Sequence, residues 1–398
     1  MMPFNQTDTK IIHGIKEGAS IIPILSEAEL RTTKKILFVA QLAIGDFAYL
    51  QTQFAAFKQK YPWIVLDIWV DDLRRTWCFW KWNALKNYVV YDWVEGSGLF
   101  NKVYRESYAW PLFYKSIKQA AQEEYPYVVF IGMMRPHQYV GYLRKMSPHG
   151  KLISLVHPLK NYRAYKQLDA RIPFDLNKEK QTKHITQIFA DWFEQLCGLY
   201  VAPQNRQPFV KLSNAWQSYG KLKLLQWGVV HNNERIRPLV FINSFAKSSK
   251  RCWTLDRVAL LIKSLKTNCP ELENAKFVIN ALPEDVAMVE KMIKKSGLDE
   301  TIVFTAQESF FQLPAILALA DLVISVDTSV VHLATAFKRP LVVLMRTKQV
   351  EWKPQDTERT EVIVAKNGAH VMSIGIDEVV QAAHKMMQKM IGISGVQS

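Results

Sequence analysis

Cysteine is scarce in this sequence: four among 398 residues (Cys78, Cys197, Cys252 and Cys269), with no two placed as a C-x-x-C pair. That usage excludes a disulfide-stapled secreted scaffold and a thiolate zinc site, and is what reduced thiols in a cytosol would show. Long apolar runs are missing as well; none approaches the ~20 residues that a membrane span needs. The N-terminal MMPFNQTDTKIIHGIKEG has no apolar signal-peptide core, so the expected location is the cytoplasm. Neither G-x-x-x-x-G-K-[ST] nor G-x-G-x-x-G occurs, which removes the P-loop and the dinucleotide fingerprint, and no G-x-S-x-G elbow is present. The nine histidines include no H-x-x-x-H pair, and Asp71-Asp72 has no third acid or histidine at useful spacing. No metal and no bound cofactor are therefore expected.

What is present is an ordinary globular composition, 49% hydrophobic and 22% charged, with a net charge of +15. The excess is uneven. Residues 1–230 carry 30 Lys and Arg against 18 Asp and Glu, whereas residues 231–398 carry 21 against 18. A basic first half suits an anionic partner: nucleic acid, an acidic membrane face or an acidic small molecule. Service to solubility alone is the plain alternative. Seven of the twelve tryptophans (63, 69, 77, 80, 82, 93 and 110) fall within 63–110, interleaved with Arg74, Arg75, Lys81 and Lys86. Such a segment is suited to stacking on bases or lying at a membrane interface. Most of these tryptophans are nevertheless expected in the core.

Hydrophobic patterning alternates strands with helices. Unalternated Val/Ile/Leu runs at 36–40, 63–70, 127–132, 152–156, 238–243, 276–280, 301–304, 322–326 and 341–345 read as parallel strands covered on both faces. Helices are expected at 47–60, about 107–122, from Thr254, from about Glu284, near 311–319, from Thr328 and at 376–391. The fold class is α/β, with two Rossmann-like doubly wound domains facing a cleft at the carboxyl ends of their strands. The expected boundaries are an N-terminal extension at 1–33, a first domain at 34–230, a second at 231–375 and a C-terminal helix at 376–398.

In such folds, chemistry sits just after the strands. After the first strand comes Ile44-Gly45-Asp46, where Asp46 either caps a helix or offers a carboxylate able to take a proton from a hydroxyl. After 238–243 comes a loop with Ser244, Lys247, Lys250 and Arg251, chemistry for an anion or a solvated loop. After 276–280, Glu284 and Asp285 suit sugar hydroxyls or an acidic helix start. After 322–326, Asp327-Thr328-Ser329 leads into a helix bearing His332, and the free N–H groups of that helix start suit a pyrophosphate.

Taken in order, the strand–Ile44-Gly45-Asp46–helix opening, Arg251-Cys252-Trp253 and VISVDTSVVHLATAFKRPLVVL (323–344) resemble glycosyltransferase family 9, the ADP-heptose:lipopolysaccharide heptosyltransferases. The resemblance is clearest over about 36–70 and 239–354. It implies a GT-B fold, in which the first domain binds a lipopolysaccharide acceptor and the second an ADP-heptose donor that serves as co-substrate. By the same resemblance Asp46 is the general base and Lys250 or Arg251 holds the donor phosphates. Asp327, Thr328, Ser329 and His332 match the donor-site D-T-G-x-x-H motif, Glu284 or Asp285 lies near the family's acidic nucleoside-site residue, and Ser244 is counted with the donor-binding residues. Three departures stand out: Ser329 where the family has Gly, Ala40 where it has a basic residue, and Leu344-Met345-Arg346-Thr347 where it has F-G-P-T. There Arg346 and Lys348 bring extra positive charge. The implied reaction is inverting and metal-independent, on an anionic glycolipid, with peripheral contact at the cytoplasmic face of the inner membrane. Two other readings stay open. One is a nucleotide-sugar epimerase or hydrolase on the same fold, for which a basic first half has no use. The other is a non-catalytic protein binding an anionic ligand; as a nucleic-acid binder it lacks a helix-turn-helix or an aromatic RNA-binding signature, so no nucleic-acid partner is expected.

Overall fold

The computed structural model describes residues 22–71, 73–347 and 349–395. Most of the expected N-terminal extension, and Asp72 and Lys348, lie outside the described residues. Contacts divide the chain into two compact units, 1–207 with 350–352, and 208–349 with 353–398.

The first unit holds six parallel strands: β1 (Lys35–Gln41), β2 (Val65–Asp71), β3 (Lys102–Tyr104), β4 (Tyr127–Phe130), β5 (Lys151–Val156) and β6 (Ala170–Pro173), in the order β3-β2-β1-β4-β5-β6. Helices α1 (Glu27–Thr32), α2 (Ile44–Lys60), α3 (Trp82–Lys86), α4 (Val89–Gly96), α5 (Trp110–Ala121), α6 (Pro136–Met146), α7 (Leu176–Thr182) and α8 (Ile185–Cys197) connect or flank them. β1 is buried from Ile36 onward, as a strand covered on both faces must be. Phe38 stacks on Phe193 of α8 at 5.9 Å and meets Phe54 of α2 edge-on at 4.9 Å, which fastens both helices to one face of the sheet. Residues 22–33 are not a loose extension. Ser26 and Glu29 form a capping box on α1, Leu25 and Leu30 are fully buried, and the Leu25 amide donates to the Leu196 carbonyl.

The second unit starts with α9 (Asn214–Gln226) and a short hairpin of β7 (Val230–His231) and β8 (Glu234–Arg235). Six parallel strands follow: β9 (Leu239–Asn243), β10 (Lys276–Asn280), β11 (Thr301–Phe304), β12 (Leu322–Val326), β13 (Leu341–Met345) and β14 (Thr360–Val364), in the order β11-β10-β9-β12-β13-β14. With them are α10 (Leu255–Asn268), α11 (Val286–Ser296), α12 (Gln312–Leu317), α13 (Ser329–Ala336) and α14 (Ile376–Gly395). Counted within its own six strands, each sheet has the Rossmann order 3-2-1-4-5-6, which reverses between its first and fourth strands.

The division falls at 207/208 rather than 230/231 because α9 packs onto α12. Trp216 stacks on Phe311 at 6.1 Å, and a Cβ on Gly220 would lie 2.7 Å from the Ala315 carbonyl oxygen. α14 is part of the second core rather than a separate piece: Val379, Val380, Ala383, Met386 and Met387 are buried against α10 and the sheet. The tryptophans of 63–110 depart from expectation too. Only Trp69 and Trp93 are buried, Trp82 and Trp110 are half-buried, and Trp63, Trp77 and Trp80 are exposed.

Candidate functional site

In the first unit, β1 ends at Gln41 and the chain turns into α2, whose third residue is Asp46. One oxygen of that carboxylate accepts the Ala43 amide at 2.8 Å, a reach-back that pins the helix start. Burial raises the Asp46 pKa from 3.8 to about 6, opposed by the Ala43 hydrogen bond. The capping and proton-accepting readings of Asp46 are thus compatible: one oxygen is held, and burial makes the group a stronger base than an ordinary aspartate.

Gln41 crosses the point where the strand order reverses. Its Nε2 donates to the Met134 carbonyl and its Oε1 accepts the Met134 amide, both at 2.8 Å, fixing the turn after β4. The contact is so close that a Cβ on Gly132 would lie 2.9 Å from the Gln41 side chain. Beyond that turn Arg135 takes a left-handed conformation (φ 50°) ahead of Pro136 at the start of α6. A cavity of about 340 Å³ opens there, lined by Gly132, Arg135, His137, His157, Lys160 and Tyr162 among others. His137 stacks on Tyr162 at 3.9 Å, and His157 lies 3.6 Å from Asp175. None of these residues was singled out from sequence, because separate loops contribute them. The signal that existed was their place after two buried strands.

Asp71, set aside as a metal ligand for want of a third partner, has a place of its own. The Asp71 carboxylate is fully buried, paired with Arg75, and accepts from the Tyr139 hydroxyl at 2.6 Å. It anchors structure.

In the second unit a group gathers where β9 and β12 run side by side. Asn243, the last residue of β9, is buried. Its Nδ2 donates to Ser325 Oγ at 3.1 Å and Thr328 Oγ1 at 3.0 Å, while its Oδ1 accepts Asn280 Nδ2 at 2.9 Å. Thr328, so placed, is the N-cap of α13 and accepts the Val330 amide. Asp327 is buried beside it, and Arg251 Nη1 reaches both its Oδ2 and its carbonyl at 3.4 Å. Burial raises the Asp327 pKa and Arg251 holds it down in part.

Ser329 opens α13 with its side chain partly exposed, and His332 is buried one turn on. Ser244 is buried, its carbonyl accepts the Trp253 amide at 3.0 Å, and its hydroxyl has no hydrogen-bond partner among the described residues. Of the two cations that the sequence left open, Arg251 joins this group, whereas Lys250 on the same short turn is exposed. Glu284 is exposed just after β10. Arg346, at the end of β13, is exposed and donates to the Gly368 carbonyl at 3.0 Å. The structure therefore brings together Ser244, Arg251, Asp327, Thr328, Ser329 and His332, and leaves Lys250, Glu284 and Arg346 at the surface around them. Asn243, Asn280 and Ser325 are the additions that pattern reading missed.

An arrangement of this kind, with a capped helix start, a guanidinium and a buried asparagine at the strand-order reversal, is equipped to hold an anionic group. The profile of glycosyltransferase family 9 (heptosyltransferase) matches residues 172–374, just over half of the chain, and stops short of Asp46. No curated protein sequence matches significantly. A family 9 glycosyl transferase from Veillonella parvula DSM 2008 superposes with a TM-score of 0.69 at 14% identity, over 89% of this chain and 97% of that one. The ADP-heptose LPS heptosyltransferase II of E. coli gives 0.63 at 14% identity, over 90% and 99%. An E. coli heptosyltransferase, WaaC, solved with ADP gives 0.60 at 15%, over 89% and 98%. At such identities the likeness shows the fold, two Rossmann-like domains of GT-B type.

Proposed function

This chain belongs to glycosyltransferase family 9 and is a glycosyltransferase, and we propose that it moves heptose or a related sugar from an ADP-sugar onto a lipopolysaccharide core acceptor. The observation that carries the donor half of this reading is the Asn243-anchored group. Thr328, the cap of α13, is held by the buried amide of Asn243, and Arg251 reaches Asp327 beside it. A diphosphate needs just such preorganised N–H donors and a cation.

In the proposed reaction an acceptor hydroxyl attacks the anomeric carbon from the face opposite the nucleotide. The new C–O bond forms as the bond to the diphosphate breaks, so configuration inverts. Asp46 takes the hydroxyl proton. Its raised pKa of about 6 leaves it ionised above neutral pH yet more basic than usual, and a positioned base of this sort contributes typically ~10²–10⁴-fold. The departing diphosphate carries its charge to Arg251 and the α13 amides, which makes the step independent of a metal ion. Ser329 still presents its backbone amide at that helix start, with a hydroxyl added. The cavity lined by Arg135, His137 and Lys160 suits acidic groups of the acceptor, in keeping with the basic first half. An acceptor of that kind puts the enzyme at the cytoplasmic face of the inner membrane; no described helix is long and apolar enough to cross it.

The test is calorimetric and thermal-shift binding of ADP, UDP, GDP and CMP to wild type and Asp327→Ala. At 100 times its dissociation constant a ligand adds ~2.7 kcal/mol of stability. ADP-selective stabilisation that disappears in the variant supports the reading. Selectivity for another nucleotide rejects an ADP-sugar, and binding by none rejects the donor site.

A further inference from the structure

The chain from Leu73 to Val89 exposes Trp77 (66%), Phe79 (71%) and Trp80 (67%), with Leu73 and Val89 beside them in sequence and also exposed. Together the three rings leave roughly 400–500 Å² of aromatic surface in water, the size at which an exposed apolar patch on a soluble protein calls for an occupant. The platform under them is firmly built. Arg75 pairs with buried Asp71, donates to the Ser107 carbonyl at 3.0 Å, and lies over the rings of Phe113 (3.5 Å) and Trp110 (4.8 Å). The Thr76 amide donates to the Tyr108 carbonyl at 3.0 Å, and Trp82 Nε1 donates to the Thr76 carbonyl at 3.1 Å. Tyr88 donates its hydroxyl to the Leu42 carbonyl at 3.1 Å and carries the Arg74 guanidinium over its ring at 4.5 Å. Trp77 stacks on Trp110 at 6.1 Å, and Phe79 meets Trp80 edge-on at 5.3 Å. The base of the segment is thus tied down while its outer rings stay in solvent.

Charge names the occupant. From Leu73 to Tyr91 there is no acidic residue, and Arg74, Lys81 and Lys86 are exposed among the rings. Tryptophan between basic side chains is the composition of a surface that seats in lipid headgroups, its rings in the acyl boundary and its cations on anionic phosphates. A second copy of the same basic surface would be repelled. We infer that residues 73–89, centred on Trp77, Phe79 and Trp80, form a docking surface for an anionic bilayer. The choice of a bilayer over other anions rests on the glycolipid acceptor proposed above.

The test uses the full chain and vesicles free of glycolipid, so that it does not depend on the transfer reaction. Sedimentation with vesicles of phosphatidylglycerol and phosphatidylethanolamine is compared with phosphatidylcholine alone, for wild type, Phe79→Ser/Trp80→Ser and Lys81→Gln/Lys86→Gln. Wild type should sediment with the anionic vesicles and not with phosphatidylcholine. The aromatic pair should raise the lipid needed for half-binding by roughly a hundredfold, about tenfold for each ring. The lysine pair should raise it by roughly twentyfold, near fivefold per cation. Thermal melts and ADP titrations of each variant should match wild type. If wild type ignores anionic vesicles, or the aromatic pair binds them as well as wild type, the assignment is wrong. Release of the vesicles by a single-stranded oligonucleotide that binds tighter through the same rings would replace the bilayer with nucleic acid. Loss of ADP binding with vesicle binding intact would count against the proposed donor and not against this surface.

Discussion

Asp46 should make the protein less stable in the pH range where it is most useful. Its pKa lies at about 6 in the fold against an ordinary 3.8, and burial is the main cause. An acid whose folded pKa is raised binds its proton more tightly when folded, so stability is lost as pH rises from about 4 through 6. At ~1.4 kcal/mol per tenfold, the full difference would be about 3 kcal/mol; partial exposure of the side chain to solvent reduces this to about 1–2 kcal/mol. Asp46→Asn keeps an oxygen for the Ala43 amide and has no charge to bury. The assay is a series of thermal melts of wild type and Asp46→Asn between pH 4 and 8. The two should melt together near pH 4, and the variant should pull ahead through pH 6 to a plateau some 2–8 °C higher, at roughly 2–4 °C per kcal/mol for a unit of this size. Sugar transfer by the variant should fall by at least ~10². A constant offset at all pH values, or a variant less stable at pH 8, would refute the claim that desolvation raises this carboxyl's pKa.

Four further substitutions test the remainder of the site and the fold. Asn243→Ala leaves the polar groups of Asn280, Ser325 and Thr328 without their shared partner; a loss of about 2–3 kcal/mol in denaturant melts and weaker nucleotide binding in calorimetry are expected. Arg251→Met should weaken ADP by roughly tenfold or more, as loss of a charge-assisted contact would. Lys250→Met should change it by less than about threefold; equal effects would return the choice that the sequence left open. Gly220→Ala drives a methyl into the Ala315 carbonyl and Leu319, so it should lower stability by about 1–3 kcal/mol without touching vesicle sedimentation. A neutral result would argue that α9 does not pack on α12.

The strands that sequence reading found are those buried on both faces, such as β1, β9, β12 and β13. Those it missed are the short hairpin β7–β8 and, in the two large sheets, β3, β6 and β14, three of the four edge strands, where burial is partial and the residues mix Lys, Arg, Glu and Pro with apolar ones. α9 was hidden for a related reason. It buries little beyond Gly220 and Leu224, so no apolar stripe marks it in a stretch that reads as a linker. Asp46, Asp327 and Thr328 were legible because each follows a strand and sits at a helix start. Asn243 and Asn280 were not, since two strand-ending asparagines 37 positions apart become partners only once β9 lies between β10 and β12. The tryptophan segment misled because composition counts rings and does not say which way they point.

The two sheets use one device for two purposes. In each, the first strand ends in an amide side chain, Gln41 or Asn243, that crosses the strand-order reversal to hold the residues just beyond the fourth strand. Gln41 grips the Met134 backbone, and Asn243 grips Thr328. A carboxylate there would repel an anion, and a lysine would place charge beneath the site rather than in it. An amide supplies donor and acceptor with no net charge, so the electrostatics of each site are left to its loops. In the second unit those loops set Arg251 against a helix start whose cap is already fixed. In the first they set a left-handed Arg135, His137 and Lys160 around a cavity, while Asp46, the proposed base, comes from the other side of the reversal, on α2. The residues around each site, such as Ser329 at the start of α13 and Arg346 after β13, can therefore change without disturbing the amides beneath them.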